Sequence, residues 1–212
     1  KYYAVQRMLK EHYLEYPQMD PLVKESFELR NILLSQKVSL FETLPDLAEP
    51  IESLYPMKME ELGQNVGYLL YRTWASWDAD QERLRVIDGR DRMQLYVDGK
   101  YIATQYQTEI GQDIMVDGQK KAEHQLDILM ENMGRVNYGH KLLADTQQKG
   151  IRTGVCKDLH FLLDWQHYPL PLDHPEKIDF SKGWQENQPA FYAFDFKMKA
   201  LKDTYLDLSD FG

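Results

Sequence analysis

Thirty-four carboxylates, six histidines, one cysteine and a tyrosine set between Asn137 and Gly139 are the groups in this chain whose types could do chemistry. Paired carboxylates can cleave a glycosidic bond when they face each other about 5–5.5 Å apart for retention or 6.5–9.5 Å for inversion. Sequence spacing fixes neither distance, and almost all of the acids here fall on the polar positions of alternating segments or in loops, where they read as solvated surface. Glu131 is the exception, since it ends an apolar strand. Its expected role is still structural, bonding the backbone N–H groups of the turn that follows. His12, His124, His140, His160, His167 and His174 form no HxH or HExxH pattern, and one cysteine cannot build a zinc site of standard spacing, so no metal is expected. Cys156 follows Val155 in a strand-like run and reads as a small buried hydrophobe. No glycine-rich phosphate loop occurs, and no cofactor is expected.

Binding is the stronger chemistry. Sugars present an apolar C–H face that stacks on aromatic rings, and Tyr138, at the tip of a polar, glycine-broken loop, offers such a ring together with a hydroxyl. Asn137 and Gly139 tolerate the backbone that turns a chain sharply. The alternative is a corner tyrosine that pins its own backbone. Trp74 and Trp77 are a second candidate platform, in a stretch read as an Asp-rich loop. Arg135, inside the tight loop, is expected to bond carbonyls or pair with an acid, and Glu131, Asn132, Arg135 and Asn137 together read as the structural frame of the loop.

The element that must position this loop is the run from Leu126, where Leu126, Ile128 and Met130 alternate with Asp127 and Leu129 at period two before MGRVNYG ends it. Upstream, Tyr2, Val5, Met8, Leu9, Tyr13 and Tyr16 recur at helical spacing until Pro17 stops them. Met19 to Lys24 reads as a linker, and the run through Phe27, Leu29 and Ile32 to Leu34 as strand or irregular structure. Val38–Leu44 reads as a strand and Pro45–Pro56 as a surface connection. Gly67–Thr73 and Met93–Val97 read as strands, and Asp98-Gly99 supplies a type I′ turn that predicts Tyr96 opposite Tyr101 and Leu95 opposite Ile102. A second Asp-Gly, Asp117-Gly118, precedes the Leu126 strand. Further on, a short helical turn is expected in His140–Gln148, and strand from Gly150 to Leu163 with Leu159, Phe161 and Leu163 alternating. Trp165–Pro175 reads as a boundary, flanked by Trp165 and Trp184, which are expected to pack between two β-domains. Strands are expected across Ala190–Met198 and Thr204–Leu208. Short strands at about ten-residue spacing with such turns predict antiparallel sandwiches or jelly rolls.

A chain of 212 residues, 43% hydrophobic, can bury a real core in one large or two small domains. A net charge of −9 argues against a nucleic-acid or anionic-membrane surface, both of which need clustered Lys and Arg. No N-x-Ser/Thr sequon and no apolar run of about 20 residues occurs, the first residues carry no signal-peptide pattern, and the lone Cys156 fits a reducing cytoplasm.

The nine residues ENMGRVNYG, Glu131 to Gly139, resemble the signature of the first all-β domain of family 35 glycoside hydrolases, the β-galactosidases built on a TIM barrel, and the single-chain bacterial members most of all. Ser53-Leu54-Tyr55-Pro56, Gly67 to Thr73, Asp91-Arg92, Val97-Asp98-Gly99, Gly183-Trp184 and Pro189-Ala190-Phe191-Tyr192 resemble that family in the same order. The resemblance implies two galactose-binding-like sandwich or jelly-roll domains after the barrel. Residues 1–16 would be the tail of the last barrel helix, 17–36 a linker, with pairing to the second β-domain left open, 37–165 the first all-β domain and 166–212 the start of a second one that continues past Gly212. The catalytic acids of the family lie on the barrel, so the resemblance implies a non-catalytic region of an enzyme that cleaves terminal β-linked galactose, inert alone. Its partners would be the barrel and a galactose-containing oligosaccharide, with a homodimer left open. In the family this tyrosine stacks on the departing sugar, so Tyr138 would contribute to the +1 subsite. An autonomous carbohydrate-binding module and a pure interaction or dimerisation domain are the alternatives.

Overall fold

The computed structural model of the chain describes residues 1–13, 32–118, 120 and 122–198. The linker expected from Met19 to Lys24 and the strand expected across Thr204–Leu208 lie outside them. Leu34–Asp195 forms one compact unit, and α1 (Tyr2–His12) belongs to another and is described by itself. The apolar residues Tyr2, Val5 and Met8 of α1 are exposed. Tyr13 leaves the helix in an extended conformation.

The compact unit is an all-β antiparallel sandwich. In chain order its elements are β1 (Leu33–Ser39), α2 (Leu40–Leu47), β2 (Ile51–Ser53), β3 (Tyr68–Ser76), β4 (Gln81–Arg90), β5 (Arg92–Val97), β6 (Lys100–Tyr106), β7 (Ile114–Asp117), β8 (Glu123–Glu131), β9 (Gly150–Lys157), β10 (His160–Phe161), β11 (Trp165–Leu170) and β12 (Ala190–Asp195), with short 3₁₀ turns at Asp145–Gln147 and Pro175–Lys177. A six-stranded sheet runs β2-β11-β3-β8-β5-β6, a four-stranded sheet runs β10-β9-β4-β7, and β1 pairs with β12.

β8 lies at the centre of the larger sheet, between β3 and β5. Its alternation sends Leu126, Ile128 and Met130 into the sandwich core with Leu69, Tyr71, Met93, Leu95, Val86 and Val155. The opposite face is also covered. Leu129 packs with Leu70, Tyr96, Tyr168 and Leu170 under Leu40 and Leu44 of α2, and Asp127 on that face is fully buried. Burial raises the Asp127 carboxyl above its ordinary range, while the Arg72 guanidinium opposes that rise. Arg72 Nε donates to Asp127 Oδ1 at 2.6 Å and Gln125 Nε2 to Oδ2 at 2.7 Å.

Several expectations change. Val38–Leu44 is not one strand: β1 ends at Ser39 and a helix begins at Leu40, because Leu40 and Leu44, four apart, share the face that covers the sheet. The hairpin places Tyr96 opposite Tyr101, with Asp98 (φ 50°) and Gly99 (φ 73°) in the turn, but Leu95 faces Ala103 rather than Ile102. A β-bulge takes up the extra residue. Leu159, Phe161 and Leu163 are exposed around the β9–β10 turn instead of forming a core-facing strand. Trp165 lies in the sandwich core, donating its indole N–H to Leu162 O at 2.9 Å, rather than between two domains. Trp184 lies under the Lys37 ammonium and donates to Tyr192 Oη. The boundary read across Trp165–Pro175 begins with β11, which tolerates Pro169 because β2 pairs only as far as His167.

Two buried polar side chains lock the segment before β3 onto the sandwich. Tyr71 Oη donates to Met57 O at 2.7 Å and accepts the Ile151 N–H at 3.0 Å. His167 receives the Met57 N–H on Nε2 at 2.9 Å, so its Nδ1–H donates to Ile51 O at 2.8 Å. Tyr71→Phe removes a donor and an acceptor at once and orphans buried backbone groups, and urea unfolding is expected to show a loss of about 1–3 kcal/mol. Burial also pushes the His167 pKa below its ordinary value of 6.5. A depressed histidine binds fewer protons folded than unfolded, so its contribution is present above about 6.5 and is lost as pH falls toward the folded value. Melting temperatures measured across that window are expected to fall less steeply in His167→Asn than in the parent chain.

Candidate functional site

The loop between β8 and β9, residues 132–149, is closed by two acids that each hold both of its ends. Asp91 Oδ2 accepts the Met133 N–H at 2.9 Å on one side and the Lys149 ammonium at 2.5 Å on the other. Both side chains of this ion pair are nearly buried. Glu60 does the same from the opposite flank: it pairs with Arg135 and accepts the Lys149 N–H on both oxygens, at 3.1 and 3.0 Å. Asn132 completes the start of the loop, receiving the Gly134 N–H on Oδ1 at 3.0 Å and donating Nδ2 to Asn65 O at 2.8 Å. Arg135 Nε also donates to Asn65 O. At the exit, Gly150 holds φ +86°, and a Cβ there would stand 2.3 Å from Tyr71 Oη, so only glycine fits.

The root is bonded and the tip is bare. Tyr138 is 91% exposed and Leu143 97%, with Met133, Val136 and Leu142 also exposed. Beneath them Arg135, Val136, His140, Leu142, Leu143 and Gln147 line an open cleft of about 590 Å³. No described residue hydrogen-bonds Asn137, which lies beside Tyr138 at the tip. The tyrosine therefore projects from the body and pins no backbone among the described residues.

Glu131 does not bond the turn's N–H groups; Asp91 holds that position. Glu131 Oε2 instead accepts Arg92 Nη1 at 2.9 Å, with the Arg92 guanidinium over the Tyr106 ring. Burial first, and the neighbouring Glu131 charge second, raise the Tyr68 phenol above its ordinary pKa. Trp77 is not a surface platform. It is 1% exposed, in the core, stacked on His124 at 4.8 Å between centroids. Trp74 and Trp77 are three apart along an extended chain, so they point to opposite faces, and only Trp74, at 43% exposure, remains available. Cys156 is buried in β9, and burial raises its thiol pKa, which leaves it a poor nucleophile. Among the described residues no group of three or more His, Cys, Asp or Glu side chains could hold a metal ion, and no helix is long and apolar enough to cross a membrane. Sequence alone does not single out Glu60 and Lys149, nor the bracing role of Asp91, because their partners lie 42 to 89 positions away.

Such a fold, with the 132–149 loop braced at its root and bare at its tip, defines an all-β sandwich domain. The chain belongs to the family described as "Beta-galactosidase, first all-beta domain", which residues 56–171 match. A beta-galactosidase of Xanthomonas manihotis is 34% identical over 179 residues, covering 84% of this chain and 29% of the relative. Beta-galactosidase 17 of Arabidopsis thaliana is 27% identical over 244 residues, covering all of this chain and 35% of the relative. The chain thus spans about a third of the length of these relatives. A solved GH2 beta-galacturonidase from Eisenbergiella tayi overlays on 66% of this chain and 25% of that one, with 14% identity and a TM-score of 0.38.

Removing one partner of a buried ion pair leaves the other charge uncompensated. Lys149→Met is therefore expected to cost about 3 kcal/mol or more in equilibrium unfolding, while Arg135→Ala, on a partly exposed pair, should cost about 1 kcal/mol or less.

Proposed function

We propose that this chain is the non-catalytic β-sandwich region of a family 35 β-galactosidase, cleaving terminal β-linked galactose, and that the loop 132–149 forms one wall of the active-site mouth of a neighbouring barrel. The observation that carries this reading is Tyr138: an almost fully exposed ring on a loop whose root is braced by two acids. An unsupported exposed loop would gain nothing from such bracing, whereas a wall that must meet another body needs a fixed position and a bare, partly apolar tip. The match of this chain to about a third of each relative supports the presence of a further domain to meet it. The same reading keeps 1–16 as a helix tail of the barrel, 17–36 as a linker and 37–165 within the first all-β domain, but β11, a strand of the six-stranded sheet, extends that domain through Leu170, so that the second opens after it. It also places the protein in the cytoplasm, on the strength of the lone Cys156, which cell fractionation would check.

Tyr138 would stack on the leaving-group sugar, with Arg135 and Asn132 holding the loop rather than touching substrate. Replacing the ring in the longer enzyme, Tyr138→Ala, removes about 1 kcal/mol of stacking. The ratio of kcat/KM between a disaccharide and an aryl galactoside should then shift about fivefold, while stability stays unchanged. An unaltered ratio contradicts the assignment and favours a pure interaction domain. The isolated chain is expected to hydrolyse no galactoside, and turnover in a clean preparation would refute that.

A further inference from the structure

The six-stranded sheet carries a second opening, on the edge formed by β2, β11 and the end of β3. Glu52, Ser53, Trp74, Asp164, Trp165 and Gln166 line a cleft of about 340 Å³, within the range of roughly 300–1,000 Å³ usual for small-ligand sites. Strand alternation turns Trp74 to the sheet face away from the sandwich core, where it is 43% exposed, while Trp165 closes the inner wall at 1% exposure. The polar groups around the ring are nearly all acceptors. Among the described residues nothing engages the Asp164 carboxylate, and Glu52 is met only by Gln166 Nε2 at a long 3.4 Å. Gln166 is oriented in turn by the Tyr168 hydroxyl, which donates to its Oε1 at 2.9 Å. Arg72, which faces Gln166 across the ladder, is committed to Asp127, and among the described residues no cation lines the opening.

We propose that this cleft is a carbohydrate-binding site for neutral sugars, separate from the Tyr138 loop. One exposed indole supplies the face on which the C–H side of a pyranose stacks, and its free Nε1–H can meet a ring or hydroxyl oxygen. Two carboxylates supply acceptors for sugar hydroxyls at the rim, in bonds of the stronger, charge-assisted kind, and the Gln166 amide, oriented by Tyr168, adds a neutral N–H donor. The charge pattern selects the ligand: with two carboxylates and no cation among the described lining residues, a uronate or sulfated sugar is repelled, while a neutral hexose or short neutral oligosaccharide loses nothing. A protein partner fits less well, because the core of a protein interface is depleted of unpaired charge.

The test is a titration of the 212-residue chain followed by the indole N–H signal of Trp74, assigned by its loss in Trp74→Phe. Methyl β-galactoside, lactose and cellobiose serve as neutral probes and glucuronate as the charged one. The expected result is a saturable shift with at least one neutral probe, none with glucuronate, and the same shift in Tyr138→Ala, while calorimetry with that probe detects binding to the parent chain and none to Trp74→Ala. Asp164→Asn should weaken binding of the neutral probe and relax the exclusion of glucuronate. Three outcomes would overturn the proposal: no shift with any neutral probe, an equal shift with glucuronate, or a shift lost in Tyr138→Ala with calorimetric binding retained in Trp74→Ala. A further contrary result is loss of acrylamide access to Trp74 in the longer enzyme, which would make the cleft an interdomain contact.

Discussion

Lys149 and Asp91 form a nearly buried ion pair 2.5 Å apart, and the rest of the loop's geometry depends on it. The two residues come from different ends of the sandwich's connectivity: Asp91 stands at the junction of β4 and β5, and Lys149 immediately precedes β9. Taking both charges out of water is costly, and the pair is supported because Asp91 also accepts the Met133 N–H. A salt bridge of this kind adds little net stability over a packed apolar pair. What it adds is position, since the ammonium and the Met133 amide must converge on one oxygen and thereby set the spacing of the loop's two ends.

That convergence is possible because of where the strands run. β8 is a central strand, paired on both sides and buried on both faces, so its C-terminal end is among the best-fixed points in the molecule. β9 lies in the other sheet, reached only by crossing the edge of the sandwich. The loop that makes this crossing is held by β-strand ends from both sheets and by Glu60 from the segment before β3. Tyr71 and His167 tie that same segment to the core through Met57. Position is thus relayed from the hydrophobic core to the loop root through hydrogen bonds, and the tip, which contacts none of this, is free to meet something else.

Period-two alternation made β5 and β8 legible in the sequence, and the Asp98-Gly99 turn was legible because its chemistry is local. Tyr138 stood out for the same reason: its neighbours are turn residues. Lost to the sequence were the features settled at long range. Glu60, Asp91 and Lys149 look like ordinary surface charges until the fold brings them together, and the bulge beside Leu95 leaves no mark in a pattern of apolar residues. Trp77 reads as a surface residue in the sequence because the stretch that looks like loop is β3 as far as Ser76, and Trp77, just past its end, still bonds Ala122 O and turns to the face opposite Trp74. Leu40 to Leu44 reads as strand in the sequence because a short helix and a short strand look alike when both are apolar; the deciding factor is the sheet face that Leu40 and Leu44 cover.

The central claim is that the loop is fixed at its root and offers its tip to another domain. Amide hydrogen exchange, compared between this chain and the longer enzyme, tests it most directly. The account predicts that the Met133, Gly134 and Lys149 amides are protected in both, while the amides from Tyr138 to Leu143 exchange fast in the isolated chain and become protected in the longer enzyme. Fast exchange at Met133 and Lys149, or a tip equally unprotected in both proteins, would contradict it.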